Sequence, residues 1–134
     1  MEAVLIDSNI LIDLFEKESA WFDWSAGQVR KLSHTHRMVI NPIIYGEIAY
    51  PFDAMEMLDT TLRTAGIERL PLPFEAAWHA SQCHRKYRAQ GGMRAATLPD
   101  FFIGAHAVVD GLTLLTRDRG RYVSYFPTID LICP

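Results

Sequence analysis

The hydrophobic positions of this chain change their period repeatedly along its length. Ala3-Val4-Leu5-Ile6 is a short unbroken apolar run, the pattern of a strand covered on both faces. A helical spacing follows, with Ile10, Leu11, Leu14 and Phe15 on one face and Ser8 in position to cap it. A second helix is predicted over about residues 21–32, and a strand at Met38-Val39-Ile40. Asn41-Pro42 reads as a helix start, an N-cap followed by proline at the first helical position. Asp53 is predicted to cap a helix carrying Met55, Leu58 and Leu62, stopped at Gly66. Residues 67–70 form a short strand closed by Pro71. Pro73 opens a helix reaching about Gln90, with Gly91-Gly92 as its stop and the start of a loop. Thr97-Leu98-Pro99 opens another, reaching about Val109 and stopped by Gly111. Residues 112–115 and 129–132 complete the set of strands, and Asp130 places the last at a sheet edge.

Strands thus alternate with helices throughout. The prediction is an α/β fold, a single domain over residues 1–134, with a central, mainly parallel sheet of about five short strands sandwiched between helices. In open sheets of this kind the ligand site lies beyond the carboxyl ends of the strands. Chemistry is therefore sought there.

Composition narrows the class. With 134 residues, 49% of them hydrophobic and 22% charged, the chain can bury a core of its own. Its two cysteines, Cys83 and Cys133, lack metal-ligand spacing and read as reduced, buried thiols. The first apolar run stops at Asp7, too short for a secretion signal, and no stretch approaches the roughly 20 apolar residues that span a bilayer. A cytoplasmic protein without membrane contact is expected. His34 and His36 form a His-x-His pair, but without Cys or carboxylates at ligand spacing they read as a polar turn. His79, His84 and His106 are scattered and read as structural. No glycine loop of a nucleotide-binding type is present.

Four acids fall where chemistry is expected. Asp7 follows the first strand, and Asp118 follows the strand at 112–115 in Thr116-Arg117-Asp118. Asp100 lies in the first turn of a helix beside Pro99, and Glu47 lies one to two turns into the helix opened by Pro42. Singly, each has a structural reading. Asp7 and Asp118 suit a cap or a turn, and Asp100 favours the helix dipole. Glu47 is set among Ile43, Ile44, Tyr45, Ile48 and Ala49, and an acid in such company needs a partner or a cation. Gathered at one edge, the four would raise one another's pKa values unless a cation sat among them. Mg²⁺ or Mn²⁺ suits an all-oxygen set, and such a site can activate water and clamp a phosphodiester.

At these residues the chain resembles PIN-domain ribonucleases. Asp7-Ser8-Asn9-Ile10-Leu11-Ile12-Asp13 resembles their opening motif, and Asn41-Pro42-Ile43-Ile44-Tyr45-Gly46-Glu47-Ile48 their second. Leu98-Pro99-Asp100-Phe101-Phe102-Ile103-Gly104-Ala105-His106-Ala107 resembles the third, and Leu114-Leu115-Thr116-Arg117-Asp118 the fourth. Size and motif order are similar to the VapC type, the toxin half of bacterial and archaeal toxin–antitoxin pairs. The resemblance implies an Mg²⁺- or Mn²⁺-dependent endoribonuclease with Asp7, Glu47, Asp100 and Asp118 as its acidic cluster, and with Asp7, Asp100 and Asp118 as metal ligands. It also implies that Ser8, Asn9, Thr116 and Arg117 brace the carboxylates or touch RNA. A homodimer and an inhibitory antitoxin protein laid across the groove are implied as well. Gly104 and His106 fill positions from which no role is drawn.

The formal net charge of −3 is unusual for a nucleic-acid binder. Setting aside the four acids leaves 12 acidic residues against 13 Lys and Arg, so the acidic balance comes from the site itself. Basic residues cluster in His84-Arg85-Lys86-Tyr87-Arg88, which suits a solvated helix end as well as phosphate contact. A second group, Arg117, Arg119 and Arg121, borders Asp118 and reads as RNA contact. Trp21, Phe22 and Trp24, and again Tyr45, Tyr50 and Phe52, fit either an interface or the core. Two other functions compete. A phosphatase of the haloacid dehalogenase type also places Asp after its first strand, but needs a second Asp where this chain has Asn9. A non-catalytic module binding RNA or protein on the same fold has no reason to keep four acids.

Overall fold

The computed structural model describes residues 1–91 and 97–134. Five strands form one sheet: β1 (Ala3–Ile6), β2 (Arg37–Ile40), β3 (Ile67–Arg69), β4 (Thr113–Leu115) and β5 (Asp130–Ile132). Their order is β3-β2-β1-β4-β5, and every pairing is parallel. Between them run α1 (Ser8–Phe15), α2 (Phe22–Leu32), α3 (Pro42–Ala49), α4 (Met55–Thr64), α5 (Phe74–Ala89), α6 (Leu98–Asp110) and α7 (Gly120–Val123). Parallel strands require crossover connections, and the helices supply them while covering the sheet.

The core follows from the unbroken apolar runs. Val4, Leu5 and Ile6 of β1, Val39 and Ile40 of β2, and Leu114 and Leu115 of β4 are fully buried. Each such side chain contributes about 1.5–3 kcal/mol by leaving water. Ile10, Leu11, Ile44, Ile48, Leu58, Phe101 and Ile103 close over them from the helices. β5 lies at the sheet edge as Asp130 implied, and Asp130 Oδ2 accepts a 2.6 Å bond from the Thr113 hydroxyl.

Helix ends explain where the reading needs correction. Asp7, not Ser8, is the N-cap of α1: its backbone is extended and its carboxylate accepts the Ser8 N–H. Asp53 does not cap α4, which starts at Met55 with extended Ala54 at the cap and no side-chain cap bond. Asn41 caps α3 as expected, accepting the Ile44 N–H at 2.9 Å ahead of Pro42. Gly111 ends α6 at φ 63°, where Leu112 N–H reaches back to the Ala107 carbonyl at 2.8 Å. Gly91, at φ 77°, fits the stop of α5; Gly92 and the loop expected after it lie outside the described residues. The short α7 was not anticipated.

Gly104 and His106, from which the sequence drew nothing, both serve packing. A Cβ on Gly104 would stand 2.4 Å from the Phe126 ring. His106 is fully buried, 3.0 Å from Asn41 Nδ2 at Nδ1 and 3.0 Å from Asp110 Oδ2 at Nε2. The cysteines are free but only half-buried, not sealed in the core.

Candidate active site

The chain leaves β1 towards β2 and β3, then returns to set β4 and β5 on β1's other side. The two directions diverge between β1 and β4, and in open parallel sheets the ligand site is expected beyond the carboxyl ends of the strands at that point. Asp7 follows β1 and Thr116 follows β4. The two strand ends are tied by Asp7 N–H on the Leu115 carbonyl at 2.9 Å.

Asp7 is buried, at 3% exposure. Its Oδ1 accepts Ser8 N–H at 2.8 Å, while Oδ2 accepts the Thr116 and Tyr122 hydroxyls, each at 2.8 Å. Burial raises its pKa above the usual carboxylate value; bonds from Tyr122, Thr116 and Ser8 oppose this, and the charge of Asp100 adds to it. The Thr116 hydroxyl also accepts from Asn9 Nδ2 at 3.2 Å and from Asp118 N–H at 3.0 Å. Asn9 Oδ1 accepts Arg117 N–H at 3.1 Å. Residues 116–118 are thus stitched to the start of α1.

Asp100 is also buried, at 5% exposure. Its Oδ2 accepts Thr97 N–H at 2.8 Å and the Thr97 hydroxyl at 3.0 Å. This reciprocal cap leaves Oδ1 to face Arg121 Nη1 at 3.6 Å. Capping and a role beside the other acids therefore use different oxygens of one side chain.

Glu47 is not enclosed by its apolar neighbours. Ile44 and Ile48 turn inward from α3, whereas Glu47 stays exposed on the opposite side. Desolvation of its carboxyl still raises its pKa; a Ser8 hydrogen bond lowers it, Asp7 and Asp100 raise it, and Arg121 lowers it. Asp118 is half-exposed. Its Oδ1 accepts Arg121 N–H at 3.2 Å and its Oδ2 lies 2.6 Å from Arg121 Nε.

Asp7, Glu47 and Asp100 therefore feel one another's charge, and Arg121 joins Asp118 to Asp100. Among the described residues, no three His, Cys, Asp or Glu side chains stand as a ready-made metal cage. The donors are all carboxylate oxygens, however, and Mg²⁺ is commonly held by one or two carboxylates with waters completing its coordination. Burial and neighbouring acid charge raise the pKa values of Asp7 and Glu47, and a bound cation would relieve the charge contribution. The residues present fit such an ion.

Of the basic group beside Asp118, Arg117 is committed elsewhere. Its Nε and Nη2 bond buried Asp13 at 2.7 and 3.1 Å, and its guanidinium lies over the Trp21 ring at 5.4 Å. That side chain braces α1 against the residues that follow β4. Arg121 turns onto the acids, while Arg119 is exposed. In the other basic group Tyr87 is buried against Phe101 and Tyr125, while Arg85, Lys86 and Arg88 are exposed at the end of α5. Phe52 packs on Phe15, and Tyr50 is exposed.

Tyr122 escaped the sequence reading. It is fully buried, bonded to Asp7, and its own pKa is pushed up, first by burial and then by the charge of Asp7. The only sequence signal was its place four residues after Asp118.

The class defined here is a parallel α/β domain with interacting carboxylates beyond the strand ends, at the point where strand order reverses. The family model of the PIN domain matches residues 4–124, and the chain belongs to that family. A search of curated proteins finds no match. Among solved structures, the chain is similar to one in VapBC2 from Rickettsia felis bound to a promoter DNA fragment, with TM-score 0.75, 17% identity and 98% of each chain covered. It is similar to one in DNA-bound VapBC from Salmonella typhimurium, with TM-score 0.70, 22% identity, and 99% of this chain and 98% of that one covered. A toxin–antitoxin complex from Klebsiella pneumoniae contains another similar chain, with TM-score 0.67, 22% identity, and 97% and 96% covered. At these identities the likeness is one of fold.

Proposed function

We propose that this PIN domain is an Mg²⁺- or Mn²⁺-dependent endoribonuclease, the toxin half of a VapC-type toxin–antitoxin pair. The observation that carries the reading is the meeting of Asp7, Glu47 and Asp100 at one site, with Asp118 drawn to them through Arg121.

Asp7, Asp100 and Asp118 would hold the ion, with Glu47 beside them. A bound divalent ion supplies a Lewis acid for the phosphoryl oxygen and a nucleophile from water near neutral pH. The chain's own residues do the positioning. Thr116 and Tyr122 fix Asp7 by occupying its Oδ2. Thr97 fixes Asp100 through its Oδ2. Glu47, the more exposed acid with a raised pKa, suits proton transfer to or from water at the site. Asn9 fills the place where a haloacid dehalogenase-type phosphatase needs its second Asp, and its amide is taken up by Thr116 and Arg117 N–H.

RNA as the substrate, an antitoxin protein as the partner and a homodimer belong to the same reading. The toxin–antitoxin assemblies among the similar structures support the antitoxin. No helix among the described residues is long and apolar enough to cross a membrane, and a cytoplasmic setting is part of the proposal.

The test is cleavage of labelled tRNA and mRNA pools by antitoxin-free protein in Mn²⁺, Mg²⁺ or EDTA, beside Asp100→Ala. Cleavage that needs the metal and disappears in the variant is expected. Equal cleavage by both proteins assigns the activity to a contaminant. RNA binding with no metal-dependent cleavage favours the binding module instead.

A further inference from the structure

Arg121 stands where a cation is needed. Its Nε lies 2.6 Å from Asp118 Oδ2 and its Nη1 lies 3.6 Å from Asp100 Oδ1. Neither contact is a well-directed hydrogen bond: the second is too long, and Nε is buried without a properly aligned acceptor. Charge rather than directional bonding holds the guanidinium there. Resting on the metal-site reading above, we propose that Arg121 is a built-in counter-cation that competes with the divalent ion for Asp100 and Asp118.

The local architecture suits a removable cation. The backbone of Arg121 is pinned, because its N–H bonds Asp118 Oδ1 and the next residue, Tyr122, is anchored in the core on Asp7. The side chain is 40% exposed, so it can turn into solvent without disturbing α7. Neighbouring cations do not duplicate it. Arg117 is held by Asp13, and Arg119 reaches towards Cys133. The Arg121 guanidinium lies between two of the acids. The arrangement satisfies the carboxylates before metal arrives and sets a threshold that the metal must exceed.

The experiment is Mn²⁺ titration calorimetry together with thermal unfolding of the full chain. Wild type, Arg121→Gln, Arg121→Met, Arg119→Gln and Asp100→Asn are compared. Arg121→Met keeps the aliphatic stem should the glutamine variant fold poorly. Both Arg121 variants are expected to bind Mn²⁺ about three- to tenfold more tightly, the scale of losing one or two partly exposed ion pairs. Arg119→Gln should stay near wild type, which separates local competition from a general loss of positive charge. Without metal the Arg121 variants should melt below wild type, and Mn²⁺ should narrow or reverse that gap. Wild-type binding that is lost in Asp100→Asn but unchanged or weakened in both Arg121 variants would overturn the counter-cation alone. No Mn²⁺ binding by wild type or either Arg121 variant would overturn the metal-site reading and this proposal with it.

Discussion

The Tyr122 hydroxyl donates to Asp7 Oδ2 at 2.8 Å, across 115 residues of sequence and inside the core. That bond shares Oδ2 with the Thr116 hydroxyl and leaves Oδ1 with only the Ser8 N–H. One oxygen thereby takes two hydroxyl donors and the other a single backbone donor. Tyr122→Phe removes the donor while keeping the ring. Hydrogen bonds to charged groups contribute about 1.5–3 kcal/mol, so the variant should lose that order of stability in denaturant titration. Loss of an orienting partner of a metal-binding carboxylate should reduce metal affinity or cleavage by about 10- to 100-fold. The Asp7 pKa, which this bond lowers, should rise further and move the acid limb of Mn²⁺ binding to higher pH. Unchanged binding and an unmoved limb would leave Tyr122 with a packing role only.

Glu47 illustrates a site maintained against stability. Its folded pKa is raised, first by desolvation and then by Asp7 and Asp100, beyond what Ser8 and Arg121 restore. A carboxylate with a raised folded pKa binds protons more readily folded than unfolded, so its ionised form at neutral pH disfavours the fold. Glu47→Gln should therefore melt at a higher temperature than wild type in EDTA at pH 7, with the advantage shrinking as pH falls towards 4. Cleavage should drop sharply. A variant that melts lower in EDTA would mean that the Ser8 bond outweighs the repulsion.

The alternation of strands and helices was legible because unbroken apolar runs such as Val4-Leu5-Ile6 have few other uses. The positions of Asp7 and Asp118 were legible for the same reason: each follows a strand whose end is marked. The cap of α1 was misread because Asp7 and Ser8 are about equally good caps by side-chain type, so the linear pattern does not choose between them; the backbone does, turning from extended to helical at Asp7. The α4 cap failed likewise, since Asp53 sits one residue too early. The four-residue α7 carries no periodicity to detect, and with it went Tyr122 and the true direction of Arg121. Long-range polar bonds of this kind depend on how elements are folded together, and a linear pattern does not record them. Arg117 shows the same limit, since its partner Asp13 lies 104 residues away.

Asp13 anchors that link. It is buried at 2% exposure and accepts from Arg117 Nε at 2.7 Å, Ser25 at 2.7 Å and Ser19 at 3.0 Å. Burial pushes its pKa up, but the bonds from Arg117, Ser25 and Ser19 outweigh this and hold it low. Asp13→Ala strands these donors, and loss of one partner of a buried pair costs about 3–5 kcal/mol. Arg117 is part-exposed and can regain water, so the lower end is expected. Chemical denaturation measures the loss directly. Metal binding by the fraction that remains folded should change little, because Asp13 bonds none of the four site acids.

His106 sets an acid limit on stability. Asn41 Oδ1 is occupied by Ile44 N–H, so Asn41 Nδ2 must donate to His106 Nδ1 at 3.0 Å. Nδ1 therefore carries no proton, and Nε2–H donates to Asp110 at 3.0 Å. Burial lowers the His106 pKa below its ordinary 6.5, and the nearby Asp110 offsets this only in part. The unfolded chain then binds a proton that the folded chain resists. Stability from this group is complete above about pH 6.5 and declines as pH falls from there towards the folded pKa. Asp7 and Glu47, with raised pKa values, act in the opposite sense at lower pH, so the comparison must be between proteins. His106→Gln should be less stable at pH 7.5 by about 1–3 kcal/mol, through buried partners left unpaired. Its deficit relative to wild type should shrink between pH 7 and 5. Urea titrations of both proteins across that range check it, and a constant deficit would show that His106 takes up its proton equally in the folded and unfolded chains.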